Sequence, residues 1–251
     1  VRTVITMARY QIKLTYDGTG FAGSQRQLKT RTVQRELEKA LKKLDWRGKS
    51  VMIAGRTDTG VHASGQVAAF DLDWKHTLDD LGNALNAALP KDMAVREIQS
   101  VADGFHPRFD ATSRRYCYRL FCKPDRDPLR ERYAWRVWPA VNDLQDLSAI
   151  WPGEHDFAAF GSPPKPGNST VRTVMAAKWR LVNEEWQFEI QANAFLYHMV
   201  RKIVHAQVAV GQGRILKEDL LQALENQTNL PSGLAPAHGL TLVEVSYDVL
   251  E

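Results

Sequence analysis

The sequence predicts an α+β protein of two ferredoxin-like halves around a central mixed, largely antiparallel sheet. Alternating apolar residues mark strands, and apolar residues spaced by three and four mark helices between them. Over the first hundred residues these elements fall in the order β-α-β-β-α-β, the split β-α-β arrangement. At 251 residues, 44% of them hydrophobic, the chain is long enough to give each half its own core.

Residues 9–16 put Tyr10, Ile12, Leu14 and Tyr16 on one face of a strand that ends at the Asp17-Gly18 turn. Thr32 offers an N-cap to a helix in which Val33, Leu37, Ala40, Leu41 and Leu44 form one buried stripe. Strands follow over 49–54 and 65–72. The Thr77-x-x-Asp80 pair announces a second helix carrying Leu78, Leu81, Leu85 and Leu89. Pro90 ends it, and residues 93–101 form the next strand. The first half is expected to occupy residues 1–104 and the second 105–251. In the second, strands are expected over 113–121, near Trp135, and over 171–182 and 185–192, the last two joined by a turn at Asn183. Leu144, Leu147 and Ile150 mark a short helix, Met199, Ile203, Ala206 and Val210 a longer one, and 218–224 another, before a closing strand over 240–247. No sequence repeat links the halves. A cleft between them is the expected binding site, and the Gly- and Pro-rich residues 161–169 read as a mobile surface loop.

The net charge of +4 is unevenly distributed. Residues 105–140 hold nine Arg or Lys against four Asp or Glu, whereas 215–251 hold one Lys against six acids. Such separation suits a polyanion, because each cation that neutralises a phosphate releases a counterion. A solvated face has the same composition, so charge alone does not decide. No apolar run approaches the length of a bilayer span, and residues 1–10 alternate instead of forming the apolar run of a signal peptide. The cytoplasm is therefore the expected compartment. Cys117 and Cys122 are too few for a disulfide framework and lack the second pair of a zinc site, so both read as packing residues.

Gly55-Arg56-Thr57-Asp58-Thr59-Gly60-Val61-His62 joins two strand segments. Asp58 stands between glycines, beside a permanent cation and near an imidazole, where backbone and substrate can approach closely. A hairpin turn accounts for Asp and Gly. The segment is nevertheless longer and richer in functional side chains than a hairpin requires.

This segment resembles the catalytic loop of the TruA family of tRNA pseudouridine synthases. The likeness continues through Tyr16-Asp17-Gly18-Thr19 with Phe21, Gly23 and Gln25, Thr32-Val33-Gln34, and Phe105-His106-Pro107-Arg108-Phe109. It extends to Arg115-Tyr116-Cys117-Tyr118, His155-Asp156-Phe157, Val171-Arg172-Thr173-Val174, the block from Asn193 to Arg201, and Ala235-Pro236-Ala237-x-Gly239-Leu240. The resemblance implies the two-halved pseudouridine-synthase fold, a homodimer, and isomerisation of uridine in the anticodon stem-loop of tRNA at positions 38 to 40. It implies Asp58 as the catalytic aspartate, Tyr116 as the active-site tyrosine, Arg201 as the arginine paired with the aspartate, and Arg56 as the adjacent loop arginine. Further RNA contacts are expected from His62, Arg114, Arg115 and Arg172.

By residue type alone, Tyr116 is an aromatic alternating in a strand and Arg201 the solvated face of a helix. The trio makes chemical sense together, because a nearby guanidinium keeps a carboxylate ionised and an aromatic ring stacks on uracil. The reaction exchanges a glycosidic C–N bond for a C–C bond with no net oxidation, so neither metal nor organic cofactor is expected. Attack of Asp58 on the ribose, attack on C6 of the base, and removal of a ribose proton all fit these residues. Tyr116 would orient the base and is a candidate to help remove the C5 proton. A stacked base must be extruded, with the phosphates held by basic residues over 108–136 and 165–172. Ser24, Thr59 and His205 depart from the family pattern, which favours tryptophan, alanine or lysine, and glycine there. A non-catalytic RNA-binding module would tolerate loss of the carboxylate, and a metal nuclease using Asp58 and His62 lacks a recognisable ligand set.

Overall fold

The computed structural model describes residues 7–226, 228 and 230–248, so the first six residues of the alternating N-terminal stretch lie outside the described residues. The elements are, in order, β1 (Ala8–Tyr16), α1 (Val33–Lys42), β2 (Met52–Ile53), β3 (His62–Leu72), α2 (Leu78–Ala88), β4 (Met93–Val101) and β5 (Ala111–Cys122). Then come β6 (Trp135–Val137), α3 (Leu144–Leu147), β7 (Gly153–Asp156), β8 (Val171–Val182), β9 (Glu185–Ala192), α4 (Met199–Gly211), α5 (Lys217–Asn226) and β10 (Leu240–Tyr247). The chain forms two compact units, one of residues up to Thr112 with those from Leu242 onward, the other Ser113–Thr241.

In the first unit β1 lies between β4 and β3, antiparallel to both, and β2 adds to β3 antiparallel. Alternation in β1 buries Tyr10, Ile12, Leu14 and Tyr16 as the pattern predicts. Helix α1 starts where Thr32 accepts the Arg35 N–H, and its Val33, Leu37 and Leu41 are wholly buried. Each such side chain is worth roughly 1.5–3 kcal/mol. Thr77 and Asp80 form a reciprocal capping box on α2. The strand expected over 49–54 shrinks to two residues. Val51 gives its N–H to the Glu38 carboxylate and its carbonyl to the Gln34 amide, so it has left the ladder for α1 side chains.

In the second unit β5, β9, β8 and β7 are successive antiparallel neighbours, and β6 runs parallel to β5, which makes the architecture a mixed α+β one. Asn183 and Glu184 both have positive φ, 49° and 62°, as a two-residue hairpin turn with the native twist requires. Alternation sends Tyr116, Tyr118 and Leu120 of β5 to the face shared with Ile190 and Phe188 of β9 and Trp179 of β8. Helix α4 buries Ile203, Val204 and Val208, and its Gln207 accepts the Trp179 indole N–H at 2.9 Å. Strand β7, hidden in the His155-Asp156-Phe157 block, has no alternating signal of its own. Among the described residues no helix is long and apolar enough to cross a membrane.

Candidate active site

In the first unit the segment from Gly55 to Val61 is an irregular loop with every turn anchored. Gln66, wholly buried on β3, pairs with both backbone groups of Gly55: its Oε1 accepts the N–H at 3.1 Å and its Nε2 donates to the carbonyl at 2.8 Å. Thr57 N–H donates to Ser24 Oγ at 2.8 Å, Ser24 N–H returns a bond to the Thr57 carbonyl at 3.0 Å, and Tyr16 and Thr57 join hydroxyls at 2.8 Å. Val61 N–H closes a turn on the Asp58 carbonyl at 3.2 Å, with Gly60 at φ 80°, the positive value that the third residue of a type II turn needs. Asp58 is thereby held half-buried between the buried Thr57 and the exposed Thr59. Arg56 is exposed on the same loop.

His62, a predicted RNA contact, is buried at the start of β3. Its Nδ1 accepts the Gly18 N–H at 2.9 Å and lies 3.3 Å from Asp17 Oδ1. The ring ties the Asp58 loop to the end of β1. Ser24, a departure from the family pattern, is 1% exposed and serves as a brace for that loop.

In the second unit Tyr116 is buried on β5 with its ring edge-on to Phe195, centroids 5.0 Å apart and planes at 84°. Arg114, two residues earlier, shares that face and donates to the Asn193 carbonyl at 2.9 Å. Asn193 Oδ1 accepts the N–H groups of Thr173 and Ala194, fastening the turn after β9 to the start of β8. Arg172, on β8, donates to the Ser169 and Val171 carbonyls, and burial lowers its guanidinium from the ordinary arginine value. Arg115 points to the opposite face from Tyr116, 4.0 Å from Glu189. Strand parity thus separates two residues that are adjacent in sequence.

Arg201 sits in the first turn of α4, clamped by the loop before β10. Its Nε donates to the Ala235 carbonyl at 2.8 Å, and its own carbonyl accepts the Ala235 N–H. The next carbonyl, of Pro236, accepts the hydroxyl of the wholly buried Tyr118 at 2.8 Å. The Ala-Pro-Ala-x-Gly block therefore holds an arginine, a task its composition did not reveal. His205, the third departure, fits because Gly233 has no side chain: a Cβ there would overlap its ring.

Ion pairs tie down part of the basic stretch. Arg119 and Arg130 pair with Glu185, Lys123 with Glu184, and Arg126 and Arg136 with Glu131, all within 3.3 Å. Two of these three acids come from the β8–β9 hairpin, more than fifty residues away in sequence. Much of the predicted phosphate-holding charge is therefore compensated internally.

The sequence model of the tRNA pseudouridine synthase family matches residues 14–110 and 149–248, spanning both units. The chain belongs to this family. Its relatives in the family include the tRNA pseudouridine synthase A of Limosilactobacillus fermentum, 39% identical over 250 residues, which cover 96% of this chain and 97% of that one. The tRNA pseudouridine synthase A of Chloroflexus aurantiacus is 40% identical over 253 residues, covering 96% and 89% respectively. That of Thermoanaerobacter pseudethanolicus is 36% identical over 244 residues, covering 96% of this chain and all of its own. In the terms of the tRNA pseudouridine synthase family, the match takes in the loop of Asp58 and the helix of Arg201, while Tyr116 falls between its two matched segments.

Proposed function

We propose that this protein isomerises uridine to pseudouridine in the anticodon stem-loop of tRNA, at positions 38 to 40, with Asp58 as the essential catalytic carboxylate. The observation that carries the reading is the Asp58 loop itself, a half-buried carboxylate on a backbone anchored by hydrogen bonds on both sides. In a member of this family such a carboxylate is ready to act without reorganisation. The reaction breaks the bond between N1 of uracil and C1′ of ribose, turns the base, and joins C5 to C1′. The C5 proton then leaves and N1 gains one, so atoms and charge balance. Tyr116 stacks on the extruded uracil, and Arg201 contributes the positive charge of the trio. Arg56, Arg114 and Arg172 contact the RNA backbone. His62 and Arg115 contribute as supports, one holding the loop and the other the opposite sheet face. Each unit is ferredoxin-like, the enzyme works as a homodimer, and its compartment is the cytoplasm.

Incubation of the purified protein with unmodified tRNA, followed by chemical mapping of pseudouridine, tests reaction and position together. Asp58→Asn removes a charge and almost no volume, so pseudouridine formation is expected to vanish while tRNA binding stays nearly intact. Full activity in that variant refutes the assignment.

A further inference from the structure

We infer that a buried chain of side chains, Gln66–Tyr16–Thr57–Ser24, positions Asp58 and sets the turnover rate without touching substrate. The inference rests on the reading of Asp58 as the catalytic group. It departs from the family resemblance, which assigns none of these four a role and treats Ser24 as an irregularity.

All four are buried, Gln66 completely and Ser24 and Thr57 to 1% and 7% exposure. Their bonds form a continuous path. The Gln66 amide nitrogen can only donate, and it reaches both the Gly55 carbonyl at 2.8 Å and the Tyr16 hydroxyl at 3.4 Å. Tyr16 in turn shares a hydrogen bond, hydroxyl to hydroxyl, with Thr57 Oγ1 at 2.8 Å. Burial raises the Tyr16 phenol above its ordinary value, which keeps it neutral. Ser24 then grips the Thr57 backbone from the other side, its hydroxyl oxygen accepting the N–H and its own backbone N–H donating to the carbonyl. The residue next in the chain is Asp58.

Apolar residues would fill this space at lower desolvation cost, because a buried polar group is unfavourable unless every partner is in place. What the polar chain adds is position: it fixes the loop at residues 55 and 57, and Gly60 and Val61 fix it on the far side. Gly23, at φ 84°, belongs to the same device, since a Cβ there would lie 2.8 Å from the Thr57 carbonyl.

The test is steady-state kinetics on unmodified tRNA for Thr57→Val, Ser24→Ala and the conservative Thr57→Ser, with thermal denaturation alongside. A catalytic group displaced by about 1 Å loses up to about a hundredfold in rate, so Thr57→Val and Ser24→Ala are each expected to lower kcat by roughly 10- to 100-fold with KM unchanged. Thr57→Ser keeps the hydroxyl and is expected to restore most of kcat. Wild-type kcat in folded Thr57→Val and Ser24→Ala, whatever their Tm, overturns the inference, as does a rise in KM alone. Should Thr57→Val not fold, Ser24→Ala decides by the same criteria. Asp58→Asn separates the two levels: an inactive Asp58→Asn beside a fully active Ser24→Ala overturns only the positioning role, whereas an active Asp58→Asn overturns the reading beneath it.

Discussion

Replacing Gly239 with alanine strikes the loop that holds Arg201. A Cβ at that position would lie 2.6 Å from Cζ of Tyr118 and 2.8 Å from its hydroxyl oxygen. Carbon atoms rest about 3.5–4 Å apart, so the overlap is close to an ångström. The ring has no room to yield, being wholly buried on β5 with its hydroxyl bonded to Pro236. The 235–239 loop must move instead, drawing the Ala235 carbonyl away from the Arg201 guanidinium. Overpacking of this kind costs about 1–3 kcal/mol. Weakening of the Tyr118 hydrogen bond adds about 1 kcal/mol. For a chain of this length each kcal/mol lowers Tm by about 2–4 °C, which predicts a fall of roughly 5–15 °C by calorimetry. Pseudouridine formation, assayed well below the new Tm, should fall as well because Arg201 is no longer held. An unchanged Tm with unchanged activity would show that the loop is free to relax and that the clamp does not fix Arg201.

Two further outcomes follow from titrating groups. Arg31 donates two hydrogen bonds of 2.7 Å to Asp92 and holds that carboxyl below its ordinary range. Because the folded value is the lower one, the bridge stabilises above the unfolded pKa of about 4 and loses its contribution as pH falls below that toward the folded value. The pair is about one-third exposed, so its worth is at most about 1 kcal/mol. Asp92→Asn should flatten the acid side of stability measured by urea unfolding across that window, and superimposable pH profiles would refute the linkage. Burial pushes the Cys117 thiol up to about 11 and raises Cys122 too. At about pH 8 the Cys117 thiolate is then roughly one part in a thousand, so iodoacetamide should label it far more slowly in the folded protein than in urea. Equal rates, read by peptide mass, would contradict the burial.

Much of the secondary structure was legible because its signals are local. The Thr77–Asp80 capping box, the Thr32 cap and the boundaries of β4, β8, β9 and β10 depend on residues within one turn or one strand. Errors arose where a distant side chain competed for a backbone group: Val51 left its expected strand because Glu38 and Gln34 took both of its polar groups. The charge count likewise missed long-range pairing, since Glu184 and Glu185 bind Lys123 and Arg130, which precede them by more than fifty residues. Asp58 stood out in the sequence by its neighbours, yet Ser24, Gln66 and Ala235 gave no sign of their tasks. A buried serine and an exposed one are written alike.

By itself the sequence determined the order of elements, the faces of each strand and helix, and which carboxylate to examine, since periodicity and capping are properties of neighbouring residues. Only the tertiary structure decided what holds that carboxylate and the arginine. It brought Ser24 and Gln66 to the first half of one loop, and Ala235 to Arg201, by closing stretches of chain from eleven to thirty-four residues long. Hydrogen bonds across such separations form only once the core has set the geometry that makes them possible.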